Sequence, residues 1–167
     1  MNIALAALKA FQLKGAIEKV APFGSGHIND TFKVETDCGN YLLQKVNTKV
    51  FQNTEALENN LNLLQGLQSE VFARHITTEK GKCFYVDQSG CWKLQEFVVN
   101  AYGPTTANNL TLVKEVGKGF GMFTKVTSVL DPTVFNEAIP NFHNLKWRLE
   151  QLDEAIEQNR ANRRESS

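Results

Sequence analysis

A lysine on an apolar stretch and a short glycine loop are the features of this sequence best suited to holding an anion. Gly24-Ser25-Gly26-His27 lies between two stretches rich in β-branched and aromatic residues, Ile17 to Phe23 and Ile28 to Glu35, and has the length of a hairpin connection. Its glycines admit positive φ and leave backbone N–H groups uncovered, so the loop can close over phosphate oxygens. The same residues also serve as a plain turn, and the loop alone does not separate the two readings. In the next stretch, Tyr41 to Val46, alternation puts Tyr41, Leu43 and Lys45 on one face and Leu42, Gln44 and Val46 on the other. Lys45 therefore shares a face with large apolar groups. It either extends its ammonium to solvent along them or stands under the glycine loop as a point charge for phosphates.

These residues need a sheet to position them. Residues 17 to 46 read as three short strands, and Glu79 to Lys82 and Asp87 to Gly90 are turn-formers that divide residues 75 to 99 into two or three more antiparallel strands. Before the sheet, Ile3, Leu5, Ala6, Leu8 and Phe11 fall close to helical spacing, which predicts a short amphipathic helix ended by Gly15. After the third strand, Asn53 or Thr54 can cap a helix running to about Leu67, with Glu55 and Glu58 near the positive end of its dipole. Leu57, Leu61 and Leu64 form its apolar stripe. Glu58 borders that stripe, a place where a glutamate usually faces water. The expectation is an α+β lobe: a sheet of about five antiparallel strands with one inserted helix.

Residues 100 to 109 break the pattern and are the best linker candidate. Beyond them the strands stop, and Leu112, Val116, Phe120 and Phe123 predict a helix from about Leu110 to Val129. Gly117, Gly119 and Gly121 sit inside it without a preceding strand, so they fail the context of a nucleotide fingerprint, and close helix packing along Gly117 and Gly121 is expected instead. Asp131-Pro132 ends that helix. A last helix, about Leu145 to Asn159, carries Leu145, Leu149, Leu152 and Ile156 on one face. The expected organisation is a sheet lobe over 1–99, a linker over 100–109 and a helical portion over 110–167.

Composition narrows the function classes. Eighteen basic and eighteen acidic residues leave no net charge, so no general attraction to nucleic acid or to an anionic membrane is indicated. Cys38, Cys83 and Cys91 are odd in number, lack the spacing of a zinc site, and fit free thiols in a reducing cytoplasm. The apolar run near the N-terminus is too short for a signal peptide or a membrane span.

Gly24-Ser25-Gly26-His27-Ile28-Asn29-Asp30-Thr31-Phe32, then Tyr41 to Asn47, then Val50 to Asn60, in this order and spacing, resemble the aminoglycoside phosphotransferase superfamily, which shares the protein-kinase fold. Within it the sequence is most similar to bacterial N-acetylhexosamine kinase-like proteins, and the similarity continues through Trp92 to Phe97 and Ile139 to Asn144. The resemblance implies a kinase-like N-lobe followed by the first helices of a second lobe. Gly24, Ser25, Gly26 and His27 would form the loop over the nucleotide, with Asn29 and Thr31 opening its second strand. Lys45 would contact phosphate and Glu58 would be its ion-pair partner, with Glu55 as the rival. Backbone groups of Glu96 and Val98 would hydrogen-bond adenine, and His27 is a candidate to face the acceptor. The implied ligands are ATP, with magnesium, and a sugar or amino-sugar hydroxyl as acceptor.

The family's catalytic loop, a His-Gly-Asp or similar motif followed by Asn and a metal-binding Asp, has no counterpart in this sequence. The resemblance therefore implies the ATP-binding N-terminal portion of a kinase, a fragment or a truncated product inactive by itself, without catalytic residues or magnesium ligands of its own. The alternative is a non-catalytic α+β interaction domain that forms a homodimer through helix faces.

Overall fold

The protein is described here by a computed structural model covering residues 2–101, 106, 109–160, 162 and 163. Six strands form one antiparallel sheet: β1 (Ile17–Pro22), β2 (Asp30–Thr36), β3 (Gly39–Val46), β4 (His75–Ile76), β5 (Phe84–Asp87) and β6 (Gly90–Glu96). Their order is β1-β2-β3-β6-β4, and β5 pairs with β6 as well. Along the far edge of β6, β5 covers the end at Gly90 to Lys93 and β4 covers Leu94 and Gln95. One strand position is thus split in two, which is why six strands occupy the width expected of about five.

Alternation along the central strands builds two separate apolar layers. Val34, Tyr41, Leu43, Trp92 and Leu94 are buried on one face, where α1 (Asn2–Leu8) lays Ala4, Ala7 and Leu8 against them, with Phe11 beside it. Val46, Cys83, Phe84 and Cys91 are buried on the other, under Leu57 and Leu61 of α2 (Thr54–Gln65). Asn53 caps α2 by accepting the Ala56 N–H at 2.9 Å. Trp92, 2 % exposed, meets its polar requirement by donating its indole N–H to the Ser89 hydroxyl at 3.0 Å.

The N-terminal helix is shorter than its spacing predicts. It ends at Leu8, and Phe11 then bridges to Thr78 while the Gln12 N–H donates to the Thr77 carbonyl at 2.9 Å. Backbone pairing with this neighbouring segment replaces the last helical turn. The buried face is also rotated, because Ala4 and Ala7 pack on the sheet whereas Ile3 is exposed.

Much of the expected linker at 100–109 lies outside the described residues. Beyond it come α3 (Leu110–Thr127), a 3-10 turn at Pro132–Val134, and α4 (Leu145–Gln158), the helices being capped by Asn109 and Asn144. No described residue of α3 or α4 is buried. The close packing expected along Gly117 and Gly121 is not formed: among the described residues, apart from the helix's own neighbouring backbone, nothing lies within 4 Å of where a Cβ would stand at Gly117, Gly119 or Gly121. This part is joined to the sheet part by local contacts. Asn60 donates its amide to the Asn136 carbonyl at 2.8 Å and accepts the Asn136 N–H at 2.9 Å, and the Phe72 and Phe123 rings meet edge to face at 5.7 Å. Among the described residues no helix is long and apolar enough to cross a membrane.

Stability is therefore expected to reside in the two layers on the sheet. Leu43→Ala should cost roughly 2–5 kcal/mol in urea unfolding, whereas Phe120→Ala, at a side chain 71 % exposed, should stay within about 0.5 kcal/mol.

Candidate functional site

The connection between β1 and β2 is an exposed flap. Gly24 has φ +80, a conformation that L side chains rarely adopt, and open space surrounds the Cβ positions of both Gly24 and Gly26. Gly24, Ser25, Gly26 and His27 are all exposed. The flap's two ends are held. The Phe23 N–H donates to the Thr31 carbonyl at 2.9 Å, and the Asn29 side chain accepts the Asn47 N–H at 2.9 Å, tying the flap to the end of β3. Thr31 accepts the Gln44 amide at 3.1 Å. Asn29 and Thr31 thus anchor the flap to the neighbouring strand.

Lys45 and Glu58, expected to pair, lie on opposite sides of the sheet. Lys45 is the cross-strand partner of Trp92 and shares the α1 face, with its ammonium 5.8 Å from the Trp92 ring centroid. Glu58 projects from the helix that covers the other face. Its carboxylate accepts the Cys83 N–H at 2.7 Å and stands 3.7 Å from the Lys82 ammonium. The reason is the two-residue period of β3: Val46 meets Leu57 and Leu61 of α2, so its neighbour Lys45 must point away from that helix. Glu55 is exposed on α2 and is no substitute partner. Glu58 instead fastens α2 to the entry of β5, where the Cys83 thiol also donates to the Asn62 side chain at 3.2 Å. Burial, with the Glu58 charge as the smaller cause, pushes the Cys91 thiol up to about 11.

The face under α2 carries polar groups that the sequence did not single out. Thr31 is opposite Gln44, and Gln44 opposite Lys93; one step along, Lys33 is opposite Leu42, Leu42 opposite Gln95, and Gln95 opposite His75. α2 covers the end of this face at Val46, Cys91 and Phe84, and leaves Thr31, Lys33, Leu42 and Gln44 only half-buried. Phe23 and Phe97 close over Lys33: their rings meet edge to face at 5.2 Å, and the Lys33 ammonium is 5.2 Å from the Phe97 centroid while bonded to Glu35 at 2.8 Å. Burial lowers the pKa of Lys93, and burial followed by the charge of Lys93 pushes the His75 imidazole down to about 4.

The segment after β6 borders this face. The Glu96 N–H donates to the Arg74 carbonyl at 2.8 Å and the Phe97 N–H to the Asn40 carbonyl at 3.0 Å. The Val98 N–H has no hydrogen-bond partner among the described residues. Behind this segment is a cavity of about 760 Å³ lined by Leu64, Gln65, Phe72, Arg74, Phe97 and Val98, among others. Glu96 and Val98 reach it, whereas the flap residues Gly24 to His27 do not. Among the described residues the Gln65 amide nitrogen and the His75 Nδ1 are buried without a hydrogen-bond partner.

The alternation that separates Leu42, Gln44 and Val46 from Lys45 was readable in the sequence, and it would have identified the helix-covered face had the α2 stripe been docked on Val46. Phe23, Lys33 and Lys93 gave no signal of their own, because their convergence depends on strand register.

No family model matches the sequence. Among solved structures, the chain is similar to a spectinomycin phosphotransferase in complex with ADP and spectinomycin, with TM-score 0.59 and 14% identity over 95% of this chain and 45% of that one. It is similar also to an aminoglycoside phosphotransferase from Alicyclobacillus acidocaldarius subsp. acidocaldarius DSM 446, with TM-score 0.56 and 15% identity over 93% of this chain and 44% of that one.

Two outcomes are expected from this geometry. In a double-mutant cycle of Lys45→Ala and Glu58→Gln, the coupling should be within about 0.3–0.5 kcal/mol of zero, while Glu58→Gln alone should cost roughly 1–3 kcal/mol by weakening a buried acceptor. His75 is neutral in the fold and protonates near its ordinary value when unfolded, so between those two values the unfolded chain binds the extra proton. Stability should therefore fall as pH is lowered from 6.5 towards about 4, by up to roughly 3 kcal/mol. His75→Gln should flatten that part of the unfolding profile. The chain spans less than half the length of the phosphotransferases it matches, and over that span it has their fold, an antiparallel sheet of the kinase N-lobe type followed by helices.

Proposed function

We propose that this chain is the ATP-binding part of a small-molecule phosphotransferase whose acceptor is a sugar or amino-sugar hydroxyl. The observation that carries the reading is the continuity of flap, half-open sheet face and the 96–98 segment, on a fold shared with a phosphotransferase held with ADP. Adenine would lie against Leu42 beside the Phe23–Phe97 pair, accepting a hydrogen bond from the Val98 N–H and donating one to the Glu96 carbonyl. The amides of Gly24 to His27 would close over the phosphates, with Asn29 and Thr31 fixing the height of the flap above the sheet. Such a flap stabilises charge by pre-set dipoles rather than by chemistry of its own.

Lys45 and Glu58 have no part in this reading, since one faces α1 and the other is engaged by Cys83 and Lys82. Magnesium held with the nucleotide would offset the phosphate charge; among the described residues no three His, Cys, Asp or Glu side chains converge. In-line transfer needs groups that hold the metal and orient the acceptor, and these would come from elsewhere in a whole enzyme. The free thiols Cys38, Cys83 and Cys91 suit a reducing cytoplasm.

A second reading, a non-catalytic domain that pairs with a second copy, is favoured by the exposure of Phe120 (71%) and Phe123 (43%) on α3. Calorimetric titration with magnesium and ADP separates the two. The first reading expects saturable one-site binding, weakened about tenfold or more by Val98→Pro, which removes the N–H offered to adenine. Absence of binding at millimolar ADP, together with a dimer in sedimentation equilibrium that Phe120→Ser dissociates, would favour the second.

A further inference from the structure

We infer that Lys93, on the strand beside Gln44, presents the cation that meets the nucleotide's phosphates. The inference rests on the nucleotide reading above and names the residue that recognises the anion.

Three observations carry it. The first is register. Thr31, Gln44 and Lys93 form one row across β2, β3 and β6 on the α2 side of the sheet, directly behind the flap. Neighbouring strands lie about 4.8 Å apart, so the Cα of Lys93 is roughly 10 Å from that of Thr31, close enough for the lysine stem to extend towards the space under the flap. Gln44 fills the intervening position, and its amide is already committed to the Thr31 hydroxyl. Lys45, by contrast, occupies the row that faces α1.

The second is charge balance. On this side of the sheet Lys33 is paired with Glu35, and Lys82 with Glu58. His75, near Lys93, is neutral at ordinary pH. Lys93 has no ion-pair or hydrogen-bond partner among the described residues. The third is burial. Lys93 stands opposite Phe84, itself 8 % exposed under α2, and burial lowers its pKa. A half-buried ammonium with no counter-ion is costly to hold. An anion delivered from outside relieves that cost, and a di- or triphosphate under the flap is the anion that this fold would offer it.

The test compares ADP with adenosine, both with magnesium, by calorimetry on the wild type and on Lys93→Met, Lys93→Arg and Lys45→Met, after each variant's melting temperature has been recorded. Lys93→Met should weaken ADP at least about tenfold and leave adenosine within about twofold. Lys93→Arg should retain most of the ADP affinity, and Lys45→Met should bind like the wild type. Undiminished ADP binding by Lys93→Met overturns the inference while the nucleotide reading stands. Equal loss of ADP and adenosine in both Lys93 variants also overturns it, since the position would then serve packing alone. A wild type that binds neither compound retires the nucleotide reading itself.

Discussion

The two-residue period of β2, β3 and β6 is the constraint from which the rest of this structure follows. Because Phe32, Leu43 and Leu94 share a row, and Thr31, Gln44 and Lys93 share the next one in the opposite direction, every central residue is assigned either to the layer under α1 or to the side under α2. A slip of one residue in any of these pairings would exchange the two sets and bury Gln44 and Lys93 in the Trp92 core. The fully buried Val34, Leu43 and Leu94 hold the register against that slip. The chemistry of the α2 side thus depends on apolar residues that never touch it.

The two sides differ in what they can do. The α1 side is closed: small residues of the helix let it settle on Leu43, Trp92 and Leu94, and Lys45 survives at its rim over an aromatic ring. On the α2 side the helix covers only the end near Cys91, and a carboxylate from Glu58 fastens it to the backbone at Cys83. That fastening replaces the lysine–glutamate pair that the resemblance implies. The position of the helix is held from β5, so a cation on the sheet is released from a structural duty and is available to a ligand.

The elements were largely legible. β-branched and aromatic runs marked the strands, Asn53 marked the start of α2, and Asp87 to Gly90 marked the last hairpin. Helix length failed at Leu8, where backbone pairing of Phe11 with Thr78 overrode a periodic pattern that sequence spacing extends to Phe11. The site was legible only in part. The flap and the 96–98 segment are local features and could be read from adjacent residues. The partner of Lys45 could not, because it depends on which side of the sheet α2 covers, and Leu57 and Leu61 announce an apolar stripe without saying which strand face receives it. Lys93 carries no motif at all and stands out only once its neighbours' charges are seen to cancel.

In the proposed nucleotide site the α2 side of the sheet, and not the α1 side, would receive the ligand. Leu42 and Leu43 are adjacent in sequence and belong to opposite sides, so methyl NMR on leucine- and valine-labelled protein, titrated with magnesium and ADP, reads the claim directly. Leu42 and Val98 methyls should shift with the ligand while Leu43, Leu94 and Val34 methyls hold still. Shifts confined to Leu43, Leu94 and Val34, or no shift at Leu42 under saturating ADP, would contradict it.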